Sequence, residues 1–309
     1  MSQLHVSASP HIHSGNSTSG IMRDVLIALL PTTLAGVIIF GWRALLVLLV
    51  SVGSAVGFEA LWQWLLKKDQ TITDLSAAVT GLLLGLNLPA NIPLWQVVIG
   101  NLFAIIVVKC LFGGLGCNLV NPAITGRVFM LVSFGSLVKN AFPVGVDATT
   151  SATPLGTLAA GGTVSYADLF LGNVGGAIGE TCKLALLIGF VYLLVRRVIT
   201  WHLPVVFIAS SFVLTFLFNG FDLNAAALMT LSGGLFIGAI FMATDYVTSP
   251  ATAWGKVVFA VGAALITVMV RLWGNYPEGV SYGILLMNIL TPYIETWTRH
   301  KRFGEVKKA

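Results

Sequence analysis

The sequence predicts an all-α polytopic membrane protein of about ten transmembrane helices, arranged as two inverted five-helix repeats with some helices broken. Three features carry this expectation. Of 309 residues, 56% are hydrophobic and 9% charged, against about 25% charged in an ordinary soluble domain, and the mean hydropathy is +0.90. Apolar runs of spanning length recur along the whole chain, and Lys and Arg collect on alternate connections. So little polar surface cannot cover a water-facing fold, which leaves the bilayer as solvent. The 17 Lys and Arg form no basic stripe, so nucleic acid is not an expected partner.

Residues 1–23 are polar, with Ser and His ahead of the first apolar run and no signal-peptide pattern. His5, His11 and His13 there read as a solvated tail rather than a metal site. Ten apolar stretches follow, at about 24–41, 43–65, 73–88, 94–111, 122–138, 172–195, 203–219, 225–243, 254–273 and 280–295. The third and eighth are Gly-rich and short in apolar length, so both are expected to be broken or re-entrant. Cys110, Cys117 and Cys182 form no CxxC pair and have no His at ligand spacing, which argues against protein-borne zinc or iron–sulfur centres.

Charge sets the orientation. With both termini cytoplasmic, the inner side receives Arg23, Lys67, Lys68, Lys109, Arg127, Arg196, Arg197, Lys256, Arg299, Lys301, Arg302, Lys307 and Lys308. The outer side receives Arg43, Lys139 and Arg271, while Lys183 falls within a span. Thirteen against three is a positive-inside bias that demands an even number of spans. The halves echo each other: Gly81–Gly85 reads GLLLG and Gly234–Gly238 reads GLFIG, each followed by a Pro-containing loop and another apolar span. Five spans per half require opposite orientations, an arrangement common in transporters, whose sites lie at the repeat interface. A stand-alone inverted-repeat channel or transporter for a small solute is the alternative function this pattern supports.

Two polar segments can carry chemistry. Lys139–Asp168 is the longest, and within it Asp147-Ala-Thr-Thr-Ser-Ala-Thr153 gathers hydroxyls beside a carboxylate. On the residues alone, turn formation is the favoured reading of such a cluster. Lys109–Arg127 is Gly-rich but has no GK[ST] and follows no strand, so it is not a nucleotide loop. Asn118 and Asn121 offer donors and acceptors to a heteroaromatic edge; equally, Asn can cap the next helix. Among ionisable residues in apolar runs, Glu59 in the second span is the candidate for an ion pathway. Glu180 and Lys183, three apart, are expected to pair on one helix face. Asp245 and Glu278 are expected to serve loop structure near opposite surfaces. No Ser-His-Asp set, HExxH or carboxylate pair supports hydrolysis, and no catalytic or metal-ligating residue is expected.

The segments SPHIHSGNST, IMRDVLIALLP, KCLFGGLGCNLVNPA, DATTSATPL, FMATDYVTSP and GNYPEGVSYGILLMN occur in this order. On them, over essentially its whole length, the chain resembles the D subunits of Rnf electron-transport complexes, a family related to the B subunits of the Na⁺-translocating NADH:quinone reductases. The second relative carries an amino-terminal extension absent here, so the resemblance is to the shorter, Rnf type. In that family a flavin transferase, acting outside the cytoplasm, attaches FMN by a phosphoester bond to the last residue of a pattern like D-x-x-[ST]-G-A-T.

Asp147, Thr150, Ala152 and Thr153 fall on that pattern, with Ser151 where Gly is usual, so the resemblance implies covalent FMN on Thr153. It also implies non-covalent riboflavin near Asn118 and Asn121. The implied protein is a membrane flavoprotein subunit of a redox-driven Na⁺ or H⁺ pump, an Rnf-type ferredoxin:NAD⁺ oxidoreductase that is catalytically incomplete without its other membrane and peripheral subunits. The implied layout is a single integral domain in the bacterial cytoplasmic membrane. It comprises an inner tail (1–23), a first repeat (24–138), an external flavin-bearing loop (139–168), a second repeat (169–295) and an inner basic tail (296–309).

Overall fold

The computed structural model describes residues 17–134, 142–144, 154–159, 164–274 and 279–299. The Asp147–Thr153 motif, His5, His11, His13 and Glu278 lie outside them. Helix α1 (Thr18–Phe40) starts where the Ser17 hydroxyl accepts the Gly20 N–H at 3.1 Å, the local interaction that favours Ser at a helix start. It ends at Gly41, whose φ of +75° lets the chain turn at once into α2 (Trp42–Leu65). After a 3₁₀ turn (Ile72–Asp74), α3 (Ser76–Leu86) is only 11 residues long. Helix α4 (Leu94–Leu102) continues as a π-helix over Phe103–Cys110, and α5 (Pro122–Ser133) follows.

Two short helices, α6 (Pro154–Ala159) and α7 (Tyr166–Leu171), precede α8 (Lys183–Val195) and α9 (His202–Phe218). Helix α10 (Leu223–Leu231) meets α11 (Leu235–Ile237), which runs on as a π-helix over Gly238–Met242, at a 65° bend. The chain closes with α12 (Ala253–Trp273) and α13 (Val280–Thr298).

The expected break in the eighth span and shortness of the third are therefore present. The sixth span is corrected: residues 172–182 are not a helix, and α8 begins only at Lys183. By length and composition α1, α2 and α12 are long and apolar enough to cross a membrane alone, and α10 with the helix through Met242 passes the same measure as a bent pair, the pattern of a broken span or a re-entrant loop. The remaining expected spans fall short of that measure among the described residues.

Burial runs opposite to that of a soluble protein. Ile38 and Trp297 are each 79% exposed, while Ser51, Asn101 and Thr267 are fully buried, as expected where lipid is as apolar as any core and polar groups act between helices. Asn101 Nδ2 donates to Ser51 Oγ at 3.0 Å and to Ser54 Oγ at 3.1 Å, and Ser51 Oγ donates to Gly81 O at 2.6 Å. These bonds clamp α2, α3 and α4 together. In the second half α9 packs on α10 and α12, and α12 on α13; α1–α8 and α5–α13 contacts join the halves.

One end of the bundle is basic. There Asp24 near the start of α1 meets Arg196 just past α8, at 3.1 Å. The end of α2, the loop after Cys110 and the start of α1 share one polar cavity at that end. Arg127, counted among the inner-side charges, lies within α5, 4% exposed, with its guanidinium donating to Asn87 Oδ1.

Two non-helical stretches, one after α3 and one before α8, meet each other. Ile178 N–H donates to Leu88 O at 3.1 Å and Gly179 N–H to Leu86 O at 2.7 Å, so the non-helical backbone between α7 and α8 is satisfied by that following α3. A Cβ at Gly179 would stand 2.7 Å from Leu86 Cβ, so only glycine permits the approach. The α1–α8 crossing is tighter still, since a Cβ at Gly189 would lie 2.3 Å from Ala28 O.

Gly189→Ala is therefore expected to destabilise the protein by about 1–3 kcal/mol, read as a lower midpoint of thermal unfolding in detergent. Gly53→Ala, where the added carbon meets nothing within 4 Å, is expected to leave it unchanged or raise it.

Candidate functional site: a buried ion pair between two cavities

Among the cavities at the basic end, two are separated by a polar wall. The first is a recess between the halves, open to solvent at its mouth. Its apolar sides come from Met22 and Val25 of α1, Val79 and Leu83 of α3, and Phe241 of the π-helical extension, with Asn118 and Thr80 among its polar atoms. The second is a vestibule lined by Glu59, Gln63, Asp69, Thr71, Asp74 and Cys110, among others.

Glu59 and Lys109 close the wall. They are 2% and 1% exposed, and Lys109 Nζ donates to Glu59 Oε2 at 2.8 Å, to Oε1 at 2.9 Å and to Ser76 Oγ at 2.6 Å. All three ammonium protons are used. Ser76 in turn donates through Oγ to Asp74 Oδ1 at 2.6 Å and through its backbone N–H to the same oxygen at 2.8 Å. Local sequence explains the placement: Asp74 two residues ahead of Ser76 caps the start of α3, a familiar Asx arrangement. The π-helix ends with Lys109 turned toward α2 rather than toward lipid.

Glu59, the ion-pathway candidate, is thus locked to an ammonium through both carboxylate oxygens. Sequence reasoning missed Lys109 as its partner. The available signal was two opposite charges near the same end of neighbouring spans, Glu59 six residues inside α2 and Lys109 one residue inside the π-helix.

Asn121 acts as a cap. Its Oδ1 accepts the N–H groups of Ala123 at 3.0 Å and Ile124 at 3.2 Å, and its Nδ2 donates to Met242 O at 3.2 Å. It starts α5 and ties the first half to the second, which leaves its side chain spent. Asn118 differs: its Oδ1 is buried without a hydrogen-bond partner and lines the recess. A buried orphan acceptor beside apolar walls fits a flat heteroaromatic ring bearing an N–H. Gly113, Gly114 and Gly116 of the adjoining loop take φ values of +119°, +95° and +88°, a backbone path open to glycine.

The expected Glu180–Lys183 pairing on a helix face is corrected. Glu180 lies in a turn before α8, where Lys183 Nζ donates to its main-chain oxygen at 2.6 Å, while Glu180 Oε1 accepts the Ala177 N–H at 2.9 Å. The helix begins three residues later than that pairing required. Asp245 fulfils the loop role expected of it, with Oδ1 accepting from Val247 N–H and Oδ2 from the Thr248 hydroxyl. Burial pushes its carboxyl up from the ordinary range, and these two bonds offset the shift only in part. Among the described residues no group of three or more His, Cys, Asp and Glu forms a metal site, and the three cysteines are unpaired.

The NQR2, RnfD, RnfE family matches residues 5–304. The chain belongs to this family. Its relatives include the D subunit of the Na⁺-translocating ferredoxin:NAD⁺ oxidoreductase complex of Acetobacterium woodii, 46% identical over 98% of this chain and 96% of the relative. The D subunit of the proton-translocating ferredoxin:NAD⁺ oxidoreductase complex of Clostridium ljungdahlii is 42% identical over 97% and 96%. The D subunit of the ion-translocating oxidoreductase complex of Stutzerimonas stutzeri is 36% identical over 94% and 93%.

Lys109→Met is expected to cost about 3–5 kcal/mol because it strands the buried Glu59 carboxylate. The double variant Glu59→Leu with Lys109→Met is expected to recover most of that loss, since an apolar pair of similar volume replaces a desolvated ion pair at little net cost. Unfolding of the three proteins in detergent checks the order.

Proposed function

We propose that this protein is the membrane-embedded D subunit of an Rnf-type ion-translocating ferredoxin:NAD⁺ oxidoreductase, carrying FMN on Thr153 and riboflavin in the recess at Asn118. The observation that carries the reading is near full-length similarity to subunits of that name at 42–46% identity. The recess, with its orphan Asn118 acceptor, supports it. The positive-inside rule turns the basic end toward the cytoplasm. The two five-helix halves then run in opposite senses, and both termini lie inside. Thr153 immediately precedes α6, where a Gly233 Cβ would come within 3.0 Å of Leu155 Cδ1 and 3.1 Å of Arg271 Nη2. This close approach sets α6 beside the break before α11, and the positive-inside orientation puts that end outside, the side on which a flavin transferase works.

The flavins supply one-electron transfer between partner subunits; the chain's own residues bind, orient and insulate. The Asp147–Thr153 motif provides the attachment hydroxyl. Asn118 accepts a ring N–H, Val79, Leu83 and Phe241 exclude water, and Asn121 holds α5 and the second half in register at the recess. Relatives named for Na⁺ and for protons are almost equally similar to this chain, so overall similarity does not select the ion.

Two measurements test the reading. Wild type co-produced with a flavin transferase is expected to keep in-gel flavin fluorescence and an FMN-sized mass increment after full denaturation, and Thr153→Ala to lose both. Asn118→Leu is expected to retain the covalent flavin while riboflavin co-purifying with the complex falls at least about tenfold, the cost of one buried hydrogen bond. Absence of covalent flavin from wild type despite an active transferase overturns the relay assignment. Solute flux through the purified protein in liposomes would then be the question.

A further inference from the structure

Beside the recess, at the same basic end, lies a further cavity bounded by the loop after α8, the starts of α9 and α12, and the loop between the π-helix over Gly238–Met242 and α12. Val198, Ile199, Thr244 and Tyr246 border both spaces, and the Tyr246 hydroxyl donates to Val198 O, which ties the shared wall together. Arg197, Thr200 and Lys256 line the further cavity and not the recess. Its lining includes no Asp or Glu. Carboxylates on the adjoining segments are engaged elsewhere: Asp24 by Arg196, Asp245 by Val247 and Thr248, and Glu295 by the Ala251 N–H.

The lining offers donors. Lys256 Nζ donates to Thr200 Oγ1 at 3.1 Å, which leaves two ammonium protons and the Thr200 hydroxyl proton for a ligand. The Arg197 guanidinium enters no hydrogen bond or ion pair among the described residues. The backbone beneath it is unfavourable for an arginine. Helix α8 ends with Arg197 N–H donating to Leu194 O at 3.0 Å and Val198 N–H to Leu193 O at 2.9 Å, the bond pair of a Schellman turn, whose left-handed residue is usually Gly. Arg197 takes that place with a φ of +56°, where any residue with a Cβ is strained. Glycine would make the same turn at lower cost, so the helix end by itself does not call for a cation here.

We infer that this cavity holds the phosphate of an anionic phospholipid, with Arg197, Lys256 and Thr200 as its donors. A guanidinium, an ammonium and a hydroxyl in a cavity without carboxylates select an anion, and together they suit the unesterified oxygens of a phosphate. The surroundings select a lipid over a soluble anion. Trp201 and Trp254, which flank Thr200 and Lys256 in the chain, are exposed, as is Tyr246; such side chains collect at the level of the headgroups. Helices α9 and α12 both start at the cavity and pack against each other. Val205 and Val258, next along them, are exposed and give acyl chains an apolar surface leading away from the site. Basic pockets between helices on the cytoplasmic side are suited to anionic headgroups. The inference does not depend on either flavin.

Native mass spectrometry and thermal unfolding of the full chain in detergent, with phosphatidylglycerol or phosphatidylcholine added, test this. Wild type is expected to retain phosphatidylglycerol in preference to phosphatidylcholine and to unfold at a higher temperature with it. Arg197→Gly and Lys256→Gln are each expected to weaken that binding about fivefold, the worth of one basic side chain near an anionic surface. Arg197→Gly also separates binding from folding: relief of the left-handed strain is expected to leave its midpoint in phosphatidylcholine unchanged or higher, while the increment from phosphatidylglycerol shrinks. Phosphatidylglycerol binding by the double variant equal to wild type overturns the site. Equal retention of the two lipids by wild type does the same. Stabilisation by inorganic phosphate alone that matches phosphatidylglycerol makes this a soluble-anion site and overturns the lipid. If in the assembled complex the variants keep their phosphatidylglycerol and lose a partner subunit instead, the cavity seats an acidic protein segment and the lipid assignment falls.

Discussion

Backbone polar groups at membrane depth must find partners within the protein, and the arrangement of the helices follows from how this chain meets that requirement. Two chain segments leave helical geometry, one after α3 and one before α8, and each supplies what the other lacks through the Ile178–Leu88 and Gly179–Leu86 bonds. That exchange lets α3 stop after 11 residues and α8 start at Lys183. Full-length helices in both positions would pack their apolar faces together. Half-helices leave room between the repeats, and the recess at the basic end is that room.

The same solvent logic governs the charges. An isolated ammonium or carboxylate at depth costs several kcal/mol, so Lys109 and Glu59 persist only as a pair with Ser76 filling the last valence. Such a pair contributes little net stability, because desolvation of both ions consumes most of the Coulombic gain. Its position is what distinguishes it. It lies where a polar cavity and a largely apolar one come within the length of one side chain, so it connects them electrostatically.

Much of the architecture was legible in the chain itself. Apolar length marked the helices, Gly content and missing apolar length marked the two interrupted ones, and Asn121-Pro122 marked the start of α5 by ordinary capping chemistry. The misplacements share one cause. Residues 172–182 read as the start of a span because Gly and Ala are apolar enough to lie in lipid, yet their backbone bonds to the exit of α3 instead of continuing a helix. The Glu180–Lys183 spacing suits a helix, and no helix exists at Glu180. Arg127 falls in the expected fifth span, and Asn87 from the end of α3 makes its burial within α5 tolerable.

Span positions, the charge asymmetry that orients a bundle and the local caps each depend on residues within a few positions of one another, so the linear chain already contains them. Folding in three dimensions was needed to join Glu59 to Lys109, fifty residues away, to consume Asn121 as a cap while Asn118 keeps an open acceptor, and to raise a polar wall between two cavities. A helix in lipid is apolar on nearly every side, so periodicity carries no record of which face meets which neighbour. The pairing of polar groups across helices is settled only when the helices pack.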